Sequence, residues 1–162
     1  MALAEILPSN VDRVLSLDSD TLVLDSIQEM YNTAFEKDQI VAGVYDCVGM
    51  AIQKRVLQAS DSMKYCNAGV LLIDLKKWRE KNIGQKLVDK ILQGIENNET
   101  MFFLEQDILN IVLDGHIKLL EPQYNMLTSI YIFGYDEIIK MKKPVEYYTK
   151  NQIIRAKKKP AI

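Results

Sequence analysis

The chain has 162 residues, 48% hydrophobic and 26% charged, the proportions of one globular domain with a single sizeable core. With 20 basic against 22 acidic residues its net charge is −2, which gives no nucleic-acid footprint. Two cysteines are too few for a disulfide scaffold, and no apolar run approaches the roughly 18 residues that a membrane-spanning helix needs. Cys47 and Cys66 lack CxxC spacing and read as buried, reduced thiols of a cytoplasmic protein. The opening stretch carries Glu5 and Pro8 and has no apolar core of signal-peptide length.

Leu3, Ile6 and Leu7 stand at helical spacing until Pro8-Ser9-Asn10 breaks the run. Val11 to Leu17 reads as a short buried strand that runs into Asp18-Ser19-Asp20, with a second strand-like group at Leu22-Val23-Leu24. Asp25 or Ser26 is placed to cap a short helix over Ile27 to Tyr31. Ile40 to Tyr45 reads as a strand ending at Asp46. Gly69 to Ile73 is apolar throughout, which predicts a strand covered on both faces. Leu75 to Ile95 and Glu105 to Leu113 show helical spacing, the second stopped by Asp114-Gly115. Ile117 to Leu120 reads as a strand, Asp136 to Met141 and Asn151 to Lys157 as short helices, and Pro160-Ala161-Ile162 as the entry to one more strand. Strands alternating with helices predict an α/β fold. The basic cluster Arg155, Lys157, Lys158 and Lys159 is a solvated helix end or a peripheral contact with anionic membrane headgroups or phosphate.

Asp18 and Asp20 follow an apolar strand at its carboxyl end, where open α/β sheets bind ligands. At positions i and i+2 of an extended segment the two carboxylates face the same way. A hard divalent cation relieves their mutual repulsion, prefers oxygen ligands and can hold a diphosphate leaving group. An EF-hand loop is excluded, because Leu22 and Val23 stand where it needs an oxygen ligand and a glycine. A phosphatase of the haloacid dehalogenase type remains an alternative.

Two further blocks carry chemistry. Asn67 offers donors and an acceptor just before the buried strand, and Gly69 permits close approach to the backbone. Glu105, Gln106 and Asp107 open an otherwise apolar helix, where the helix dipole also favours acidic groups.

Taken in order, the segments RVLSLDSD at 13–20, NAGVLLIDLKKWR at 67–79 and EQDILN at 105–110 resemble glycosyltransferase family 8 over nearly the whole chain. The resemblance implies part of a nucleotide-diphospho-sugar transferase fold of the GT-A type, a mixed sheet flanked by helices. It implies that Asp18 and Asp20 bind Mn2+ or Mg2+ against the diphosphate of a UDP-sugar. Asn67, Ala68 and Gly69 would line the donor-sugar pocket, Asp46 and Glu105 would hydrogen-bond sugar hydroxyls, and Gln106 would lie beside the anomeric carbon. The implied reaction transfers glucose or galactose, with retention, to a saccharide or lipo-oligosaccharide acceptor of the cell surface.

Ser16, Cys66 and Glu105 depart from the family pattern. The resemblance treats residues 1–162 as a single domain, the central portion of the family domain. It places an N-terminal nucleotide-binding unit before it and a C-terminal HxxGxxKPW segment, with a histidine metal ligand, after it. The one histidine, His116, does not match that segment and reads as a surface or edge residue. A noncatalytic module that self-associates through exposed sheet edges is the alternative to an enzyme.

Overall fold

The computed structural model describes residues 3–47, 49–50, 62–98, 104–142 and 148–162. Its centre is β3 (Cys66–Asp74), nine residues long, and the other strands are arranged around it. β1 (Arg13–Leu17) pairs antiparallel with one edge of β3 and β2 (Val41–Tyr45) with the other. β4 (Ile117–Leu119) adds to β2 in parallel, so the sheet order is β1-β3-β2-β4 and the sheet is mixed.

Side chains alternate across a strand, and both faces of β3 are covered as its unbroken apolar run predicts. Val70 and Leu72 enter one core, with Ala42, Val44, Tyr65 and Leu120. Leu71 and Ile73 enter the other, with Val41, Trp78 and Ile117. The second core is closed by α1 (Leu3–Ile6), α3 (Leu75–Glu80), α4 (Ile83–Glu96) and α5 (Leu104–Val112). The first is closed by a 3-10 turn (Pro122–Tyr124), α6 (Thr128–Ile132), α7 (Tyr135–Lys142) and α8 (Lys150–Lys158). A short α2 (Gln28–Tyr31) lies beside β1, with Arg13 donating to the Tyr31 carbonyl at 2.7 Å. A bulge between Gly43 and Tyr45 breaks the alternation of β2 and sends both Val44 and Tyr45 into the first core.

Local contacts define where the helices begin and end. Asp74 caps α3 by accepting from the Lys77 amide at 2.9 Å, and Gly115 takes φ +78° beyond α5, the left-handed conformation that a terminating glycine supplies. Thr149 and Gln152 form a reciprocal capping box at the start of α8. Both cysteines are free and buried. His116 contacts the Asp38 carbonyl at 2.6 Å through Nδ1, at the loop entering β4.

Other expectations are corrected. The helix predicted over Leu75 to Ile95 is two helices, divided where Asn82 adopts φ 53° and ψ 43°. The five-residue step from Trp78 to Ile83 is the physical reason, since one straight helix cannot bury both on one stripe. Leu22, Val23 and Leu24 form no strand and are 74%, 49% and 63% exposed. α2 starts after Ile27, one residue later than expected, with Ser26 Oγ accepting from the Gln28 amide at 3.4 Å. Pro160 to Ile162 is an extended strap: Ala161 N and Ile162 N donate to the Gln123 carbonyl, Ile162 O accepts from Met126 N, and Ala161 O accepts from Leu24 N at 2.8 Å. The basic cluster needs no correction: it is a solvated helix end, with Arg155, Lys158 and Lys159 exposed, and its cations also pair locally, Arg155 with Glu121, Lys159 with Asp25 and Lys157 with the Phe133 carbonyl. Among the described residues no helix is long and apolar enough to cross a membrane.

Arg79 ties the N-terminal segment to α3. Its guanidinium donates to the carbonyls of Ala4, Leu7, Pro8 and Val11 at 2.9–3.2 Å. A lysine ammonium cannot reproduce this planar fork. Arg79→Lys is expected to lower stability by about 2 kcal/mol, the scale of hydrogen bonds to a charged group, read as the midpoint of urea denaturation. Burial pushes the Cys66 thiol up to about 12. Cys66 is therefore expected to resist iodoacetamide at neutral pH in the native chain and to react once the chain is unfolded, as followed by peptide mass spectrometry.

Candidate active site

Three segments far apart in sequence meet at the amino end of β3. The first turn of α5 presents Gln106, which is 9% exposed, toward that strand. Gln106 Oε1 accepts from Asn67 Nδ2 and from the Ala68 amide, both at 3.0 Å. Gln106 Nε2 donates to Asp46 Oδ2 at 3.0 Å and to the Tyr65 hydroxyl at 3.3 Å. A backbone N–H can only donate and a carboxylate only accepts, so Ala68 and Asp46 assign the two ends of the amide without ambiguity. All four hydrogen-bonding positions of this side chain are occupied.

The neighbours of Gln106 are held as firmly. Asp46, at the end of β2, accepts from the Gly49 amide at 2.9 Å with its other oxygen. Gly49 is required there, because a Cβ would stand 2.5 Å from the Tyr65 ring. The Tyr65 hydroxyl donates to Asp107 Oδ1. Burial first, and the Asp107 bond second, raise the Tyr65 hydroxyl far above its ordinary range, so it stays protonated as the donor. Asn110, one turn further along α5, accepts from the Cys66 amide and donates to the Cys66 and Gln106 carbonyls at 2.7–2.8 Å. This clamp fixes α5 against the first residue of β3.

The acidic turn approaches from the other side of β3. The Asp18 amide donates to the Gly69 carbonyl at 2.8 Å, extending the β1–β3 ladder by one residue. A Cβ on Gly69 would lie 2.8 Å from Asp18 Oδ2 and 2.9 Å from Asn67 Oδ1. The group that Gly69 admits is thus the Asp18 carboxylate itself. The chain does not stay extended after Asp18. Thr21 closes a turn on the Asp18 carbonyl, through its amide at 3.2 Å and its hydroxyl at 2.7 Å. The i, i+2 argument for the direction of Asp20 therefore does not apply, since it holds for extended backbone alone. Asp20 instead lines an open cleft of 580 Å³ with Thr21, Asn125, Thr128, Tyr131 and Ile162. Glu105 is exposed at the start of α5, beside buried Gln106.

Asp18 and Asp20 are both exposed, and among the described residues no group of three or more His, Cys, Asp or Glu side chains gathers to hold a metal. The donor set that is present, carboxylate oxygens next to a hydroxyl and an amide, suits a hard divalent cation that completes its shell with phosphate or water oxygens.

The residues singled out in the sequence thus form one constellation: Asp46, Asn67, Ala68 and Gln106 by direct hydrogen bonds, Gly69 and Asp18 by close approach. Tyr65, Asn110 and Asn125 belong to it as well, and residue-by-residue reading does not single them out. Asn110 lies inside the 105–110 block and Tyr65 two residues before the 67–79 block, a proximity that is the signal that could have found them. Asn125 carries no such signal.

The profile of glycosyl transferase family 8 matches residues 1–160. General stress protein A of Bacillus subtilis is 28% identical over 153 residues, covering 94% of this chain and 50% of that protein. The lipopolysaccharide 1,3-galactosyltransferase of Salmonella typhimurium is 30% identical over 131 residues, covering 79% of this chain and 39% of that protein. The crystal structure of the galactosyltransferase LgtC in complex with donor and acceptor sugar analogues superposes with a TM-score of 0.74 at 26% identity, over 99% of this chain and 54% of that one. The chain spans between 39% and 54% of the length of these relatives. Its mixed sheet between two helical layers is the GT-A arrangement of those structural neighbours. A family match over almost every residue, together with this fold, shows that the chain belongs to glycosyl transferase family 8.

Proposed function

We propose that this chain carries the donor-hexose and cation-binding portion of a retaining glycosyltransferase. In this reading the enzyme moves glucose or galactose from a UDP-sugar to a saccharide or lipo-oligosaccharide acceptor on the cytoplasmic side of the cell surface. The observation that carries the reading is the meeting of Asp18, Asn67–Gly69 and Gln106, from three separate segments, at one end of β3.

Asp18 and Asp20 would hold Mn2+ or Mg2+, which supplies charge neutralisation for the departing diphosphate. Asn67, Ala68 and Gly69 form the floor of the hexose pocket, with Asp46 and Glu105 as acceptors for sugar hydroxyls. Gln106 sits where these groups converge. Its amide is neutral and fully hydrogen-bonded, so it positions the sugar and its dipole stabilises a developing positive centre; it makes a poor nucleophile. Retention then follows from attack on the same face of the ring that the diphosphate leaves. The HxxGxxKPW segment and the nucleotide-binding unit of the family domain lie outside residues 1–162 in this scheme, and the working enzyme is the longer chain.

Manganese-dependent hydrolysis of UDP-galactose and UDP-glucose, followed as UDP release by the gene product carrying those flanking segments, tests the reading. Turnover of neither sugar would sink it. Asp18→Asn and Asp20→Asn are each expected to lower kcat/KM by roughly a hundredfold, with the thermal midpoint nearly unchanged because both carboxylates are exposed. Gln106→Ala is expected to behave differently. It removes the hydrogen bonds that Gln106 makes to the Ala68 amide and to Asp46, so it lowers both kcat and stability, the latter by about 1–3 kcal/mol in a urea titration.

A further inference from the structure

Asn67 is a half-buried member of the Gln106 network, so the orientation of its side chain needs a cause. Asn67 Oδ1 accepts from the Gly69 amide at 2.9 Å, and a backbone N–H identifies that end as the oxygen. The group 2.9 Å away on the other side of Asn67 Oδ1 must then be a donor, and it is Asn125 Nδ2. Asn125 is 8% exposed and sits directly after the 3-10 turn. Its neighbours are anchored by the strap, with Met126 N on the Ile162 carbonyl and Gln123 O on the amides of Ala161 and Ile162. Asn125 also lines the cleft that contains Asp20.

A path of side-chain hydrogen bonds therefore runs from Asn125 through Asn67 to Gln106, and the strap holds the residues on either side of Asn125. Every amide in it has an assigned direction. Asn125 is reached from a segment about sixty positions along the chain from Asn67, and no motif block contains it.

We propose that Asn125 is a positioning residue of the hexose pocket: its Nδ2 holds Asn67 Oδ1, so that Asn67 Nδ2 is presented to Gln106 Oε1 and the pocket floor is set before the sugar arrives. The proposal rests on the hexose reading of Asn67. Asn67 Oδ1 keeps the Gly69 amide, and Gln106 Oε1 keeps the Ala68 amide, when Asn125 is removed. Loss of Asn125 thus loosens one side chain and leaves the fold standing. An isosteric aspartate sets a second acceptor against Asn67 Oδ1 and pushes it away.

The test uses Asn125→Ala and Asn125→Asp in the full chain, with two readouts. The side-chain amide protons of Asn67 and Gln106, assigned by 15N NMR, are expected to shift and to exchange with solvent at least about tenfold faster in both variants, with the aspartate having the larger effect. Binding of UDP-galactose with Mn2+, measured by saturation-transfer NMR on the same samples, is expected to weaken about tenfold, while the thermal midpoint moves by only a few degrees. If the aspartate variant does not fold, the alanine variant decides. Unchanged Asn67 and Gln106 resonances, in a wild-type chain that binds the sugar, overturn the role of Asn125. So do altered resonances with unchanged sugar affinity. A wild-type chain that responds neither to UDP-galactose nor to UDP-glucose overturns the hexose reading itself, and the resonances then report separately on Asn125.

Discussion

The Gln106 side chain is the junction on which the site depends. It is a neutral amide whose one end faces donors, Asn67 and the Ala68 amide, and whose other end faces acceptors, Asp46 and the Tyr65 oxygen. No carboxylate could serve both ends, because it would meet Asp46 as a like charge. No apolar residue could either, because four polar groups, two of them buried, would each lose a partner. Neutrality at this position follows from the surroundings, whatever role the reaction also gives it. The same surroundings separate two carboxylates, with the Gln106 amide and the Tyr65 hydroxyl interposed between Asp46 and Asp107.

β3 makes this junction possible by doing two jobs along its length. Its carboxyl half, Val70 to Ile73, is apolar on both faces and anchors the two cores. Its amino half, Cys66 to Gly69, is given over to polar traffic: Cys66 to Asn110, Asn67 and Ala68 to Gln106, Gly69 to Asp18. Rigid packing at one end holds polar groups at the other within hydrogen-bond tolerance, which is the condition for preorganised chemistry. The absent side chain at Gly69 and the clamp of Asn110 serve the same end from opposite sides of the strand.

Much of this was legible in the residue order. The unbroken GVLLI run announced a strand covered on both faces, and the three motif blocks announced most of the groups that meet at its amino end. Antiparallel pairing on both edges of β3 was not legible, since a doubly buried strand reads the same whichever way its neighbours run. The helix over 75–95 misleads because Val88, Ile91, Leu92 and Ile95 repeat with helical spacing yet lie on the outer face of α4, 41–68% exposed. Periodicity reports a helix without saying which side is buried. The acidic turn misleads in another way, because its geometry is decided by the hydroxyl of Thr21, a local contact that the DxD pattern does not contain. Asn125 escaped because an isolated asparagine in a loop is ordinary turn chemistry until the fold shows what it touches.

The strap at 160–162 has a consequence for how the molecule assembles. Leu24, just past the acidic turn, donates its backbone N–H to Ala161, a partner far along the chain. The β1–β3 ladder joins residues much nearer in sequence, so its loop closes at a smaller entropic cost, and the loop carrying Asp20 stays untethered until the longer loop closes. Acquisition of the acidic turn is then a late event of folding, so a refolding chain would complete its central sheet before it could grip a cation.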